Sequence, residues 1–359
     1  MPVTSSLARA GQWFLESGIQ ERNGGVARYY RADLERNHPV STEITGYAIS
    51  TLLYLHSTLK DERYLRRALD AARFLCREAW DGHVLPFETH VPAQNRFAYF
   101  FDCGIVVRGL LGVWRLTGDS EILQVAISVG RSMASDFAGP DNDYHPILKL
   151  PEKQPAERDP LRWSRTPGCY QLKAAMAWWD LSEATGDSWF RELYDRALET
   201  ELRRYGSFLP GHPDRLKVVD RLHAFLYFLE GILPRGGEKR CAAALCHGIR
   251  LVTQYQADLV PEFERCDVYA QLLRIRLFAG WAGVTPLDQE AAAREAAVLT
   301  AFQIDSDDPR THGGFYFGRQ AGRWLPYVNP VSTAFALQAL AVWEQHEAGR
   351  EPVDPRRLI

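Results

Sequence analysis

The sequence predicts an all-α fold: a single (α/α)6 toroid domain over residues 1–359, with twelve alternating inner and outer helices and short β-hairpin-like loops on one face. Three observations predict it. First, a helix-turn-helix phrase recurs, in which an apolar helical run meets a tight turn ending in an acid and then an amphipathic run. It spans Leu53 to Leu75 across Lys60-Asp61, Val113 to Met133 across Thr117-Gly118-Asp119, and Ala177 to Leu198 across Thr185-Gly186-Asp187. Looser copies run from Phe228 to Leu251 and from Leu277 to Leu299, with turn acids Glu238 and Asp288. Successive turn acids lie 58, 68, 51 and 50 residues apart, the mark of stacked α-hairpins each too small to bury its apolar face alone. Second, buried and amphipathic helices alternate strictly. Third, Asn37-His38-Pro39-Val40-Ser41-Thr42 near the start is echoed by Val328-Asn329-Pro330-Val331-Ser332-Thr333 near the end, each entering an inner helix.

Taken in order, apolar periodicity near 3.6 residues places helices at 5–17, 42–58, 61–78, 97–117, 119–137, 167–185, 187–204, 215–233, 237–255, 264–281, 287–303 and 330–346. The even-numbered members are apolar nearly all round, as in Tyr170 to Leu181 and Leu222 to Leu233, and are expected to be buried. The odd-numbered members carry a polar face, such as Arg63, Arg66, Arg67 and Asp70, and are expected outside. Links from inner to outer helices are short. Links from outer to inner helices are long and rich in Gly, Pro and aromatics: 18–41, 79–96, 138–166, 205–214, 256–263 and 304–329. Long structured loops on one face of a rigid scaffold are where binding concentrates, so the functional face is expected at the N-termini of the inner helices.

Composition bounds the partners. A formal charge of -3 over 359 residues gives no basic footprint for nucleic acid. No run of eighteen apolar residues predicts a membrane span, and Met1 to Leu15 lacks an apolar stretch of signal-peptide length, so a cytoplasmic protein is expected. The six cysteines, at 76, 103, 169, 241, 246 and 266, form no C-x-x-C pair, and structural disulfides are not expected. Histidine spacing matches no metal motif, and no Walker A, G-x-G-x-x-G or G-x-S-x-G pattern occurs. We therefore expect no metal and no cofactor.

Acids at the mouths of inner helices are the chemical candidates. Glu43 lies in Ser41-Thr42-Glu43-Ile44-Thr45-Gly46-Tyr47 and Asp102 in Tyr99-Phe100-Phe101-Asp102-Cys103-Gly104. Two carboxyl groups whose ionisations are pushed apart are what glycosidic acid-base chemistry requires; the same residues would also serve as plain first-turn acids. His223, on an otherwise apolar helix, is the third catalytic candidate. Candidates for binding substrate are Asn37, Tyr47, Tyr99, Arg96, Tyr170, Gln171, Tyr227, Glu262, Asp267, Tyr316, Trp324, Tyr327 and Asn329, with aromatics to stack on sugar faces and polar groups to hold hydroxyls or carboxylates.

The Thr-Gly-Asp turns and the Gly-Gly-aromatic loops Gly24-Gly25-Val26-Ala27-Arg28-Tyr29-Tyr30 and Gly313-Gly314-Phe315-Tyr316-Phe317-Gly318 resemble those of the six-hairpin glycosidase-like toroids. That group includes unsaturated uronyl hydrolases, N-acylglucosamine 2-epimerases and squalene-cyclase-like toroids. The resemblance implies a small acidic or amino-sugar-containing saccharide in a central cavity, hydrolysed with Asp102 as proton donor and Glu43 activating water, or epimerised. Two other classes stay open. An isoprenoid cyclase-like protein would use the aromatics and Asp305-Ser306-Asp307-Asp308, and a saccharide-binding protein would use the acids for hydrogen bonding alone.

Overall fold

The Thr-Gly-Asp phrase is a division of labour among three residues. In the computed structural model, which describes residues 3–350 and 354–359, Gly118 and Gly186 end their helices in the left-handed region, at φ 69° and 74°, where a Cβ is penalised. The threonine hydroxyl before each glycine accepts the N–H of the aspartate after it, at 3.2 Å for Thr117 and 3.1 Å for Thr185. The aspartate then caps the next helix, Asp119 accepting from the N–H of Glu121 and Asp187 from that of Trp189. Such a cap contributes ~0.5–2 kcal/mol. Lys60 takes the left-handed place at φ 56° in the first hairpin, with Asp61 as its cap.

Twelve α-helices occur among the described residues, and the chain divides into two compact units. One unit comprises residues 18–28 and 37–203. Its inner helices are α2 (Thr42–Leu59), α4 (Phe100–Thr117) and α6 (Gln171–Thr185), and its outer ones α3 (Glu62–Phe74), α5 (Ser120–Ser135) and α7 (Ser188–Arg204). Small residues bring the inner helices close together. A Cβ on Gly109 of α4 would stand 2.8 Å from the Gly46 carbonyl of α2, and one on Gly104 would stand 2.6 Å from Cα of Ala174 in α6. The strand Phe97–Tyr99, directly before α4, pairs antiparallel with Ile147–Lys149, which pairs in turn with Gln154–Pro155.

The other unit comprises residues 1–17, 29–36 and 204–359. Its inner helices are α8 (Arg215–Ile232), α10 (Cys266–Trp281) and α12 (Pro330–Glu347), with α9 (Lys239–Leu259) and α11 (Gln289–Phe302) outside and α1 (Val3–Glu16) packed on α12. Here Phe263–Arg265, directly before α10, pairs with Gly318–Gln320, which pairs with Arg323–Trp324. The inner helices expected at 97 and 264 therefore begin three and two residues later, after a short strand. Buried ion pairs cross this core: Arg274 and Glu230, both fully buried, meet at 2.6 Å, and Arg276 grips Glu295 with two hydrogen bonds. All six cysteines are free thiols.

Both units reuse one loop frame. Val26 donates its backbone N–H to the Thr45 hydroxyl of α2, and Phe315 donates its own to the Thr333 hydroxyl of α12. The amide of Gln20 reaches the Gly24 carbonyl as that of Gln303 reaches the Gly313 carbonyl. In this register Ser41, the cap of α2, holds the place of Asn329, the cap of α12. The sequence echo that matched Pro39-Val40-Ser41-Thr42 with Pro330-Val331-Ser332-Thr333 is thus three residues out of register.

Candidate functional site

The first candidate centre lies in the unit of residues 18–28 and 37–203, at the N-termini of α2 and α4. Thr42 fastens the 79–96 loop to α2, its N–H donating to the Phe87 carbonyl at 3.0 Å and its hydroxyl to that of Pro86 at 2.9 Å. Thr45, two residues past Glu43, fastens the Val26 loop. Both loops then meet at Arg28: its guanidinium stacks 4.8 Å from the Phe87 ring centroid and pairs with Glu88 at 3.3 Å. Asp102 enters from α4, whose start is fixed by the strand Phe97–Tyr99 and by the Phe100 N–H donating to the Pro146 carbonyl.

Burial decides the electrostatics here. A helix N-terminus, equivalent to roughly +0.5 charge, favours a carboxylate, but desolvation favours the neutral acid. Burial pushes Glu43 up to about 7, against the pull of Arg28. Asp102 is 5% exposed, and burial together with the nearby Glu43 charge raises it well above the usual carboxylate range. Its Oδ2 finds no hydrogen-bond partner among the described residues. Burial and Asp102 also push the Tyr99 phenol up to about 12. Both carboxyls are thus pushed toward their neutral forms, Glu43 with its midpoint near neutrality, an arrangement suited to proton transfer.

The second centre lies within the other unit, on α8 and α10. His223 is 7% exposed, and its Nδ1 lies 2.7 Å from Oε1 of Gln271 and 3.6 Å from Oδ2 of Asp267. Tyr227, one turn along α8, packs edge-on against the imidazole at 4.5 Å between centroids. Arg265 holds Asp267 with two hydrogen bonds, at 2.9 and 2.6 Å, and reaches Asp220 at 2.7 Å. Burial alone would raise the Asp267 carboxyl, but Arg265 and His223 hold it below its usual value. Burial pushes His223 below the ordinary histidine value, against the pull of Asp267. The imidazole is therefore neutral at pH 7.

Several residues expected at a ligand instead brace the scaffold. The Asn37 amide donates to the Gly18 carbonyl and to Glu21, Arg96 to the carbonyls of Val91 and Thr89, and Gln171 to that of Tyr144. Asn329 caps α12 by accepting from Val331 and Ser332. Tyr47 and Tyr170 are each 2% exposed, packed among the inner helices. Glu262 lies before the strand rather than in the first turn of α10, exposed and paired with Arg215. Tyr316 and Trp324 stack on each other at 5.0 Å, and Tyr327 packs on Tyr29 under the Arg31 guanidinium. Asp305, Asp307 and Asp308 are exposed, and Asp308 accepts from the N–H of Arg310. Protonation of a buried alkene, the role an isoprenoid cyclase would need, has no support there.

Gln271 and Arg265 went unnominated in the sequence. Gln271 stands four residues after Asp267, one turn along the same face of α10, and that spacing was the available signal. A cavity of about 350 Å³ opens between the 79–96 and 138–166 loops, lined among others by Asp81, His83, Arg96 and Lys153. Neither acid of the first centre lines it. Lys153 on its wall already serves the loops, holding Asp136 and the His83 carbonyl.

No protein-family model matches the chain, and no curated protein matches it in sequence. Solved structures match it over nearly its full length. A sugar epimerase from a ruminal bacterium is 12% identical with a TM-score of 0.73, covering 94% of this chain and 97% of that one. Cellobiose 2-epimerase from Bacillus thermoamylovorans is 13% identical with a TM-score of 0.67, covering 91% and 95%. A variant of unsaturated glucuronyl hydrolase from Streptcoccus agalactiae is 11% identical with a TM-score of 0.61, covering 94% and 89%. The fold is that of an (α/α)6 toroid, as in these structures. Among the described residues, no helix is long and apolar enough to cross a membrane.

Proposed function

We propose that this protein is a carbohydrate-active enzyme that hydrolyses a small acidic or amino-sugar-containing saccharide, with Asp102 as general acid and Glu43 as general base. The observation that carries the reading is the pair itself: two carboxyl groups in the first turns of α2 and α4, both raised by burial, Asp102 also by the charge of Glu43. Asp102 gives its proton to the bridging oxygen as the glycosidic C–O bond breaks. Glu43 takes a proton from the water whose oxygen forms the new bond to the anomeric carbon. Arg28, beside both carboxyls, would hold an acidic substituent of the sugar. Saccharide-processing enzymes among the structural neighbours agree with this reading.

The test is a turnover screen against oligosaccharides containing uronic acid, unsaturated uronic acid or amino sugar, with Asp102→Asn and Glu43→Gln alongside. Each variant should lose about 10²–10⁴ in turnover, the typical worth of a general acid or base, while still binding. Binding without turnover by the unaltered protein would make it a saccharide receptor. Epimerisation is the second reading, and His223 favours it. A neutral imidazole in a buried site can take the proton from the carbon beside a sugar carbonyl, the C–H pair forming a C=C bond as the carbonyl π pair moves onto oxygen; return of a proton to the opposite face of that carbon, with the oxygen re-forming its double bond, gives the epimer.

A further inference from the structure

The second reading leaves one question at His223: which ring nitrogen carries the proton. A neutral imidazole accepts a proton at only one nitrogen, and the partner of the other nitrogen decides which. Two acceptors converge on Nδ1. Oε1 of Gln271 stands at 2.7 Å and Oδ2 of Asp267 at 3.6 Å. A lone pair at Nδ1 would face the Asp267 carboxylate, whose charge Arg265 keeps in place. A hydrogen there satisfies the geometry. Gln271 is fully buried on α10, so its carbonyl cannot turn to solvent.

We propose that Gln271 is a positioning residue: by accepting the Nδ1–H it fixes His223 in the tautomer whose lone pair lies on Nε2, and so makes Nε2 the proton acceptor of this centre. The proposal rests on the epimerase reading only for what Nε2 acts upon. An amide suits the task better than a carboxylate. It accepts the hydrogen bond without adding a negative charge that would favour the imidazolium. The other groups about the ring include Asp267, paired with Arg265; Glu230, whose charge is met by Arg274 at 2.6 Å; and the Tyr227 and Phe335 rings. None offers Nδ1 a shorter contact than Gln271 does.

The experiment is long-range ¹H–¹⁵N correlation spectroscopy of the full chain with ¹⁵N-labelled histidine, the His223 signals assigned by their loss in His223→Asn. At pH 7.5 the wild type should show a protonated Nδ1 and an unprotonated Nε2. Gln271→Leu should give a mixture of the two neutral tautomers, and Gln271→Asn, with the same amide on a shorter arm, should restore part of the preference. A wild-type ring protonated at Nε2, or a pattern unchanged in a folded Gln271→Leu protein, would overturn the proposal. Should Gln271→Leu fail to fold, Gln271→Met takes its place and is read in the same way. Sugar turnover separates the two claims. The expected tautomer with full epimerase activity in His223→Asn would keep the positioning by Gln271 and remove the epimerase reading.

Discussion

Replacing Glu43 with glutamine should stabilise the fold while cutting turnover by about 10²–10⁴. The carboxyl ionises at 4.5 in the unfolded chain and at about 7 in the folded one. Below pH 4.5 both states hold the proton and the group is neutral in its effect. Between those values the folded state binds the proton more tightly, so stability falls as pH rises, and above about 7 the full penalty is present. At about 1.4 kcal/mol per pH unit, the burial of this charge costs about 3 kcal/mol at pH 8. Glu43→Gln keeps the shape and removes the charge. Urea unfolding of both proteins at pH 4 and pH 8 would measure it: near-equal midpoints at pH 4, and a variant more stable by up to about 3 kcal/mol at pH 8. A variant equal to or weaker than the wild type at pH 8, or a difference that does not grow between the two pH values, would refute the assignment of Glu43 as a desolvated carboxyl.

Other consequences follow from the same geometry. Arg28→Met removes the cation that lowers both acids, so the acid-side limb of the rate profile, set by Glu43, should move to higher pH; a limb that stays or falls would count against the pairing. Arg274→Met removes the guanidinium 2.6 Å from the fully buried Glu230 carboxylate and should cost about 3–5 kcal/mol in chemical unfolding, most of it recovered when Glu230→Met is added. Gly104→Ala drives a methyl into the α6 backbone at Ala174, which should cost about 1–3 kcal/mol in stability and depress turnover by displacing Asp102 two residues away.

What the sequence disclosed depended on how local the cause was. The Thr-Gly-Asp turns were legible because each residue acts on its immediate neighbours. The inner and outer rows were legible because burial imposes a period. The strands before α4 and α10 were not, since Phe97–Tyr99 and Phe263–Arg265 are extended only through partners at 147–149 and 318–320. Without those partners the apolar period reads as more helix. The acids Glu43 and Asp102 could be found from their place in a first turn, but their ionisation comes from packing against other segments. Asn37, Arg96 and Asn329 misled for a related reason. A polar loop side chain looks the same in sequence whether it meets a ligand or a nearby carbonyl or amide.

The frame shared by the two units bears on how this centre could have arisen. Where α2 carries Glu43 two residues after its cap, α12 carries Val331, with the same threonine brace two residues further on. The architecture closes equally well around an acid or an alkyl group. The carboxylate is then a passenger on a scaffold that does not depend on it, and the molecule carries its own control. A Val331→Glu protein would ask how much of the behaviour of Glu43 belongs to the residue and how much to Arg28 and Asp102 around it.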